Sequence, residues 1–216
     1  MLHKIKDPIS GFTHLAGALL SVVGLFVLII PAYQREEWIK FISFMLFGLS
    51  LIFLYSSSAI YHLLNLSEKK NIALRRIDHM MIYILITGTY TPICLVALWG
   101  GWGWSLLSVI ALMALAGIIL TLFVINKPRW VTVSIYITMG WMAVIAFVPI
   151  VRAIPISGVT WIVLGGLFYS FGAVIYALKK PDWFPGIFGF HELWHLFVLA
   201  GSLCHFWVIF ATIQWL

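Results

Sequence analysis

The sequence predicts an all-α integral membrane protein, a single bundle of seven transmembrane helices that occupies residues 1–216. Three observations predict this fold class. Hydrophobic residues make up 63% of the chain, charged residues make up 9%, and the mean hydropathy is +1.07, which leaves too few polar residues to cover a soluble domain. Seven apolar segments each approach the roughly 20 residues that a helix needs to cross a bilayer. Every Lys and Arg lies outside these segments.

The predicted spans are separated by short connections, and their bounds are residues 12–32, 41–65, 77–98, 103–125, 131–151, 157–178 and 188–213. The connections contain turn formers, such as Gly100-Gly101, Asn126-Lys127-Pro128 and Pro185-Gly186. Lys4 and Lys6 precede the first apolar run, as they would in a signal peptide. That run is longer than the apolar region of a usual signal peptide, and no small-residue cleavage site follows it, so we expect an uncleaved first helix.

The basic residues predict the orientation of the bundle. Ten of the thirteen lie on the side of the N-terminus: Lys4, Lys6, Lys69, Lys70, Arg75, Arg76, Lys127, Arg129, Lys179 and Lys180. The other side has Arg35, Lys40 and Arg152. Because cytoplasmic loops are enriched in Lys and Arg, we expect a cytoplasmic N-terminus and a C-terminus outside the cell, opposite to G-protein-coupled receptors. The charge of +6 lies in loops, without the basic aromatic stripe of a nucleic-acid-binding protein, so we expect no nucleic-acid partner.

Taken in order, the spans place their ionisable residues at one depth. The first starts inside with His14, the second ends inside with Ser58 and His62, and the third leaves the inner side with Asp78. The fourth, fifth and sixth spans are apolar, with Pro149 expected to kink the fifth and Gly165, Gly166 and Gly172 expected to permit close packing in the sixth. The seventh span starts inside with His191, Glu192 and His195. Ionisable groups in a membrane are costly, so this layer predicts one shared functional site.

Three of these histidines form a natural ligand set for a metal ion. His191 and His195 are spaced i and i+4, which puts both rings on one helical face, and His62 can supply a third imidazole. Three protein ligands with an open position are typical of a catalytic zinc site, where the pKa of a bound water falls to about 7. Asp78 is the candidate to orient that water or take its proton, and Ser58, one turn before His62, can donate a hydrogen bond to the site.

Other residues have simpler interpretations. His14 and His79 are each more simply interfacial or bonded to backbone, and successive helical positions diverge by about 100°, so Asp78 rather than His79 is expected to face the bundle axis. His205 lies about 15 Å along its helix from His195 and is expected to be a structural contact. The string His191-Glu192-Leu193-Trp194-His195 also fits intramembrane metalloproteases, with Glu192 as general base. That alternative leaves His62 and Ser58 without a role. Cys94 and Cys204 are expected to be buried thiols, not a disulfide.

These residues resemble those of a known family. The pattern Ser58-x-x-x-His62, Asp78 and His191-x-x-x-His195 is similar to that of the alkaline ceramidase, adiponectin-receptor and hemolysin III superfamily of seven-span membrane proteins. The flanking segments resemble its bacterial hemolysin III branch over essentially the whole chain: Thr13-His14, Tyr61-His62-Leu63, Arg76-Ile77-Asp78-His79, Gly88-Thr89-Tyr90-Thr91-Pro92 and Phe190-His191. The resemblance implies zinc held by His62, His191 and His195, with a water toward Asp78 and Ser58 nearby. It also implies a multi-pass protein of a bacterial plasma membrane.

Three functions follow from the sequence. The leading hypothesis is a zinc-dependent membrane hydrolase of a lipid amide or ester, with a membrane lipid as substrate and Asp78 moving the proton. The second is a non-enzymatic receptor or regulator of the membrane in which zinc joins helices. The third is a pore-forming cytolysin, which would need a polar stripe through several spans, whereas these spans are apolar beyond the inner cluster.

Overall fold

The computed structural model describes residues 5–124 and 128–216, and this part of the chain confirms the predicted seven-helix bundle. The spanning helices are α1 (Pro8–Gln34), α2 (Trp38–Leu63), α3 (Glu68–Ala97), α4 (Gly101–Phe123), α5 (Arg129–Ala153), α6 (Ile156–Leu178) and α7 (Phe190–Trp215). Within the described ranges the only extended pairing is an isolated bridge between Phe184 and Phe188. Lys4, Asn126 and Lys127, which contributed to the predicted charge distribution and turns, lie outside the described residues.

Helix α3 begins at Glu68, well before the predicted span at residue 77. Ser67 occupies its N-cap position and Glu68 its first turn, and both residue types favour a helix start. The additional turns are polar and carry Lys69, Lys70, Arg75 and Arg76. We call this end of the bundle, where these residues lie with Lys6, Arg129, Lys179 and Lys180, the basic face. Apolar periodicity marks only the part of a helix that is buried in the membrane, so the sequence did not reveal this extension.

Two helices change geometry next to a proline. In α3, Pro92 has no N–H, and the hydroxyl of Thr91 donates to the carbonyl of Gly88 at 2.6 Å. The wider π-type turn Ile93–Ala97 follows directly. In α5, the 3-10 segment Met142–Ala146 lies just before Pro149. Both irregular segments are remote from the basic face, where the candidate site lies.

The packing order brings the ends of four helices together at the basic face. Helix α2 packs against α1 and α3, and α7 packs against α6 and α1. Close approaches occur at glycines: a Cβ on Gly17 would lie 2.7 Å from the side chain of Leu199, and one on Gly172 would lie 2.6 Å from that of Phe197. Because α2 ends at the basic face, and α1, α3 and α7 begin there, the polar residues of these ends share one region.

Candidate metal centre

His62, His191 and His195 lie together at the basic face. One ring nitrogen from each lies within 4.8 Å of the others, and the three ring centroids are 4.7 to 4.9 Å apart. The Nε2 atoms of His62 and His191 are 3.3 Å apart. Zn–N bonds of about 2.0–2.1 Å in a tetrahedral site imply nitrogens about 3.3 Å apart. The spacing of these two histidines therefore suits a metal ion, and the three together could hold one.

A carboxylate outside the apolar spans orients His62. Asp7 Oδ2 lies 3.0 Å from His62 Nδ1, and the backbone N–H of Asp7 donates to the His62 carbonyl at 2.9 Å. A carboxylate on Nδ1 fixes the tautomer that leaves Nε2 free to bind a metal. The hydrogen bond from His62, with the nearby charge of Lys6, lowers the pKa of the Asp7 carboxyl. Asp7 therefore remains an acceptor at neutral pH.

His195 is buried against His14. Their rings stack with centroids 3.8 Å apart and an interplanar angle of 23°, and His14 also meets the ring of Tyr55 edge-on at 5.0 Å. Within the described chain, Nδ1 of His195 and both ring nitrogens of His14 have no hydrogen-bond partner. Buried polar atoms without partners are costly. The atoms that converge from His62, His191 and His195 are imidazole nitrogens, which bind divalent transition metals, so the donor set fits a metal ion.

Asp78 and Ser58 lie beside the histidine cluster without joining it. Both line a cavity of about 540 Å³ that also contains His191 and His195. The electrostatic neighbours of Asp78 include His62 and Ser58, but its carboxylate is not among the ligand atoms that converge with the three histidines. Ser58 is fully buried, and its hydroxyl has no hydrogen-bond partner in the part of the chain described. Both residues thus line the same cavity as two of the three histidines.

Glu192 has a structural role. Its Oε2 accepts the backbone N–H of Gly189 at 2.8 Å, which caps the start of α7, and its Oε1 accepts the hydroxyl of Ser10 at 3.1 Å. The bond from Ser10 ties α7 to the first turn of α1. Because both carboxylate oxygens have partners, the metalloprotease interpretation, which needs a free Glu192 as general base, finds no support in this geometry.

The remaining histidines differ in their surroundings. His14 contacts the cluster directly, although its sequence position suggested an interfacial residue. His79 lines the same cavity as Asp78, and its ring nitrogen Nε2 lies 3.4 Å from the hydroxyl of Tyr176. His205 is buried away from the cluster and stacks on Tyr169 at 5.5 Å. That position agrees with the structural contact expected for His205.

An apolar cavity adjoins the polar one. A second cavity of about 130 Å³ lies between α3, α5, α6 and α7, and its wall is almost entirely hydrophobic. The two cavities share lining residues: Leu54, Ile82, Tyr136, Trp194 and Val198. A molecule with a polar end and an apolar tail could therefore occupy both.

Comparison with known proteins identifies the family. The model of the "Haemolysin-III related" family matches residues 2–206, so the chain belongs to this family of membrane proteins. It is 37% identical to the hemolysin-3 homolog of Bacillus subtilis (strain 168), over 96% of this chain and 95% of that protein. It is 33% identical to hemolysin-3 of Bacillus cereus, over 97% and 93%. It is also 28% identical to the human monocyte to macrophage differentiation factor, over 92% and 80%.

Proposed function

We propose that this protein is a zinc-dependent membrane hydrolase that cleaves an amide or ester bond of a lipid. The observation that carries the proposal is the convergence of His62, His191 and His195 next to the cavity that contains Asp78, which adjoins an apolar cavity. Among the described residues no fourth protein ligand joins the three imidazoles. Three protein ligands are typical of catalytic zinc sites, whereas structural zinc sites usually have four.

The three histidines would hold the ion, and Asp7 would keep the His62 ring in position. Zinc bound there would polarise the scissile carbonyl and lower the pKa of a water molecule to about 7. Zinc is favoured over harder cations because Mg²⁺ and Ca²⁺ prefer oxygen ligands, and this set consists of nitrogen donors.

Asp78 is the residue proposed to move the proton. Its carboxylate faces the cavity and is not part of the ligand set, so it can accept the proton of the attacking water and deliver it to the leaving amine or alkoxide. Ser58 supports this step, because its hydroxyl can donate to the Asp78 carboxylate or to the oxygen of the scissile carbonyl. The apolar cavity would hold the acyl chain.

The experiment is release of free fatty acid by the purified, metal-loaded protein from a panel of lipid amides and esters. Asp78→Asn keeps the side-chain shape but removes the base, so we expect turnover to fall by about 10²- to 10⁴-fold with metal content unchanged. Asp182→Asn, an exposed position on the same face, is the matched control. Absence of turnover by folded, metal-loaded protein, or full activity of Asp78→Asn, would contradict the proposal.

A non-enzymatic receptor or regulator is the second candidate, favoured by one observation: the ligand set joins α2 to α7. In that case a chelator would lower thermal stability, while Asp78→Asn would leave the biological effect intact. A cytolytic pore has less support, although two relatives are named hemolysins, because the cavity next to the polar one is lined by apolar side chains.

We also propose that the protein is a multi-pass protein of the plasma membrane with its basic face in the cytoplasm. The charge distribution supports this orientation, and it puts the metal centre at the inner leaflet. Fusions of a reporter enzyme that is active only outside the cytoplasm test it. We expect activity when the reporter is fused to the C-terminus and none when it is fused to the N-terminus. The reverse result would contradict the orientation.

A further inference from the structure

The cavity that contains Asp78 also has a cationic rim, which consists of Arg75, Arg76, Arg129 and Lys179. These side chains come from the first turns of α3, the first residue of α5 and the residue after α6. Among the described residues that line this cavity, Asp78 is the one carboxylate. The reaction proposed above uses none of the rim cations, neither to hold the metal nor to transfer a proton.

Within the described part of the chain, none of the rim cations forms an ion pair. The ion pairs there involve other basic groups, those of Lys6, Lys40 and His62. Arg129 donates from Nη1 to the backbone carbonyl of Tyr176 at 3.2 Å, and its guanidinium lies 4.6 Å from the centre of the Tyr176 ring. A guanidinium has five N–H donors, so Arg129 is fixed in place while most of its donors remain available.

Tyr176 connects the rim to the metal centre. Its ring centroid lies 5.9 Å from that of His191, and its electrostatic neighbours include Arg75, Arg129 and Asp78. An anion held by the two arginines would therefore lie about one aromatic ring from the histidine cluster. In a lipid, a headgroup phosphate is separated from the acyl carbonyl by only a few bonds. The phosphate could therefore lie at the rim while the carbonyl lies at the histidine cluster.

The charge bias of cytoplasmic loops does not by itself account for the rim. Lys69 and Lys70 satisfy that bias on the exposed surface of α3, and they do not line the cavity. Arg76 and Arg129 are instead half-buried. A cavity lined by several cations and one carboxylate attracts anions. The planar guanidinium of arginine can donate two parallel hydrogen bonds to two oxygens of one phosphate.

We propose that this cavity binds lipids whose headgroup carries a phosphate without a balancing cation, and that the hydrolase therefore acts on anionic lipids. The reaction part of this inference rests on the proposed function, but lipid binding does not require turnover. Binding is therefore the measurement that tests the rim independently.

The purified full-length protein in detergent would be titrated with dioctanoyl phosphatidic acid, dioctanoyl phosphatidylcholine and inorganic phosphate, and binding followed by calorimetry. We expect phosphatidic acid to bind more tightly than the other two. The double variant Arg75→Gln/Arg129→Gln should weaken its binding by about tenfold or more, because each lost charge-assisted contact contributes on this scale. The matched control Lys69→Gln/Lys70→Gln removes the same charge outside the cavity and should bind like the unaltered protein.

Arg75→Gln/Arg76→Gln provides a second variant that leaves the contact between Arg129 and Tyr176 intact, and it should show the same loss. Unchanged affinity in both rim variants would overturn the proposal. Equal weakening by the Lys69 and Lys70 substitutions would also overturn it, since general surface charge would then explain binding. If inorganic phosphate binds as tightly as the lipid, the rim is a site for free phosphate and the proposal of lipid binding is overturned. Specific lipid binding without fatty-acid release would support the rim and contradict the hydrolase.

Discussion

At the scale of single residues, the carboxylate of Asp7 determines the geometry of a buried group from outside the apolar spans. It accepts from His62 Nδ1 at 3.0 Å, while its own N–H donates to the His62 carbonyl. The two bonds hold both the ring and the end of α2. Such carboxylate–histidine pairs raise ligand basicity and fix the ring, and their loss typically lowers metal affinity by about 10- to 100-fold.

We therefore expect Asp7→Asn to lower zinc affinity by about 10- to 100-fold without unfolding the protein, because Asn keeps the backbone bond to His62. Competition with a chromogenic chelator would measure the change. Glu68→Gln, which alters an exposed carboxylate on the same face, is the control and should leave the affinity unchanged. An Asp7→Asn protein that binds zinc as tightly as the unaltered chain would show that this pair does not orient the ligand.

Some residues of the site could be predicted from the sequence and others could not. His62, His191 and His195 could be grouped because charge bias and span order put them at one depth. Asp7 and the pairing of Ser10 with Glu192 could not be predicted, since both depend on the angle at which the chain enters α1. Asp7 precedes the first predicted span, and a carboxylate before a helix is usually interpreted as an ordinary capping residue. An acidic residue seven positions before His14, on the same side as the cluster, was the only available signal.

At the scale of helices, the site depends on how closely α3 packs against its neighbours. Gly117 on α4 faces Tyr83 of α3, which is completely buried, and a Cβ at Gly117 would collide with the Tyr83 ring. Tyr83 in turn packs edge-on against Tyr136 of α5 at 4.7 Å. The glycine therefore sets the distance between α3 and α4, and with it the placement of the helix that carries Asp78.

Gly117→Ala should lower the free energy of unfolding by about 1–3 kcal/mol, because overpacking forces the buried Tyr83 ring to shift. Gly140→Ala is the matched control: this glycine is also inside a helix, but a Cβ there meets no atom within 4 Å. Thermal unfolding in detergent would compare the two. Equal melting temperatures would mean that the α3–α4 contact tolerates a methyl group.

The number of helices could be predicted from the sequence, while the full length of α3 and the way the helices rotate against one another could not. Hydropathy predicted seven helices, because each must bury about 20 apolar residues. It did not predict the polar turns of α3 before Ile77, which lie outside the apolar segment and contribute Arg75 and Arg76 to the cavity wall. It also did not predict the close contact of His14 with His195, because stacking depends on the rotation of α1 against α7.

At the scale of the whole molecule, charge and apolarity are arranged around one cavity. The basic face carries the histidine cluster, Asp78 and the cationic rim, while the adjoining cavity between α3, α5, α6 and α7 is apolar. This arrangement suits a lipid with a polar headgroup at the membrane surface and a tail within the bundle. A metal ion at the cluster would also join α2 to α7 and so stabilise the assembled bundle.

Removal of the metal is therefore expected to lower the melting temperature of the purified protein. A ligand at a thousandfold excess over its dissociation constant stabilises the folded state by about 4 kcal/mol. Melting with and without a strong chelator, followed by readdition of zinc, measures the effect. A melting temperature that does not change on chelation of metal-loaded protein would contradict a metal that joins the helices.

The most direct test of the central claim is elemental analysis of the protein purified without chelators, alongside three histidine variants. We expect one zinc ion per chain in the unaltered protein, and its loss in His62→Ala and His191→Ala. His205→Ala removes a buried histidine remote from the cluster and should retain the metal. A metal-free unaltered protein, or full zinc content in both His62→Ala and His191→Ala, would contradict a metal centre formed by α2 and α7.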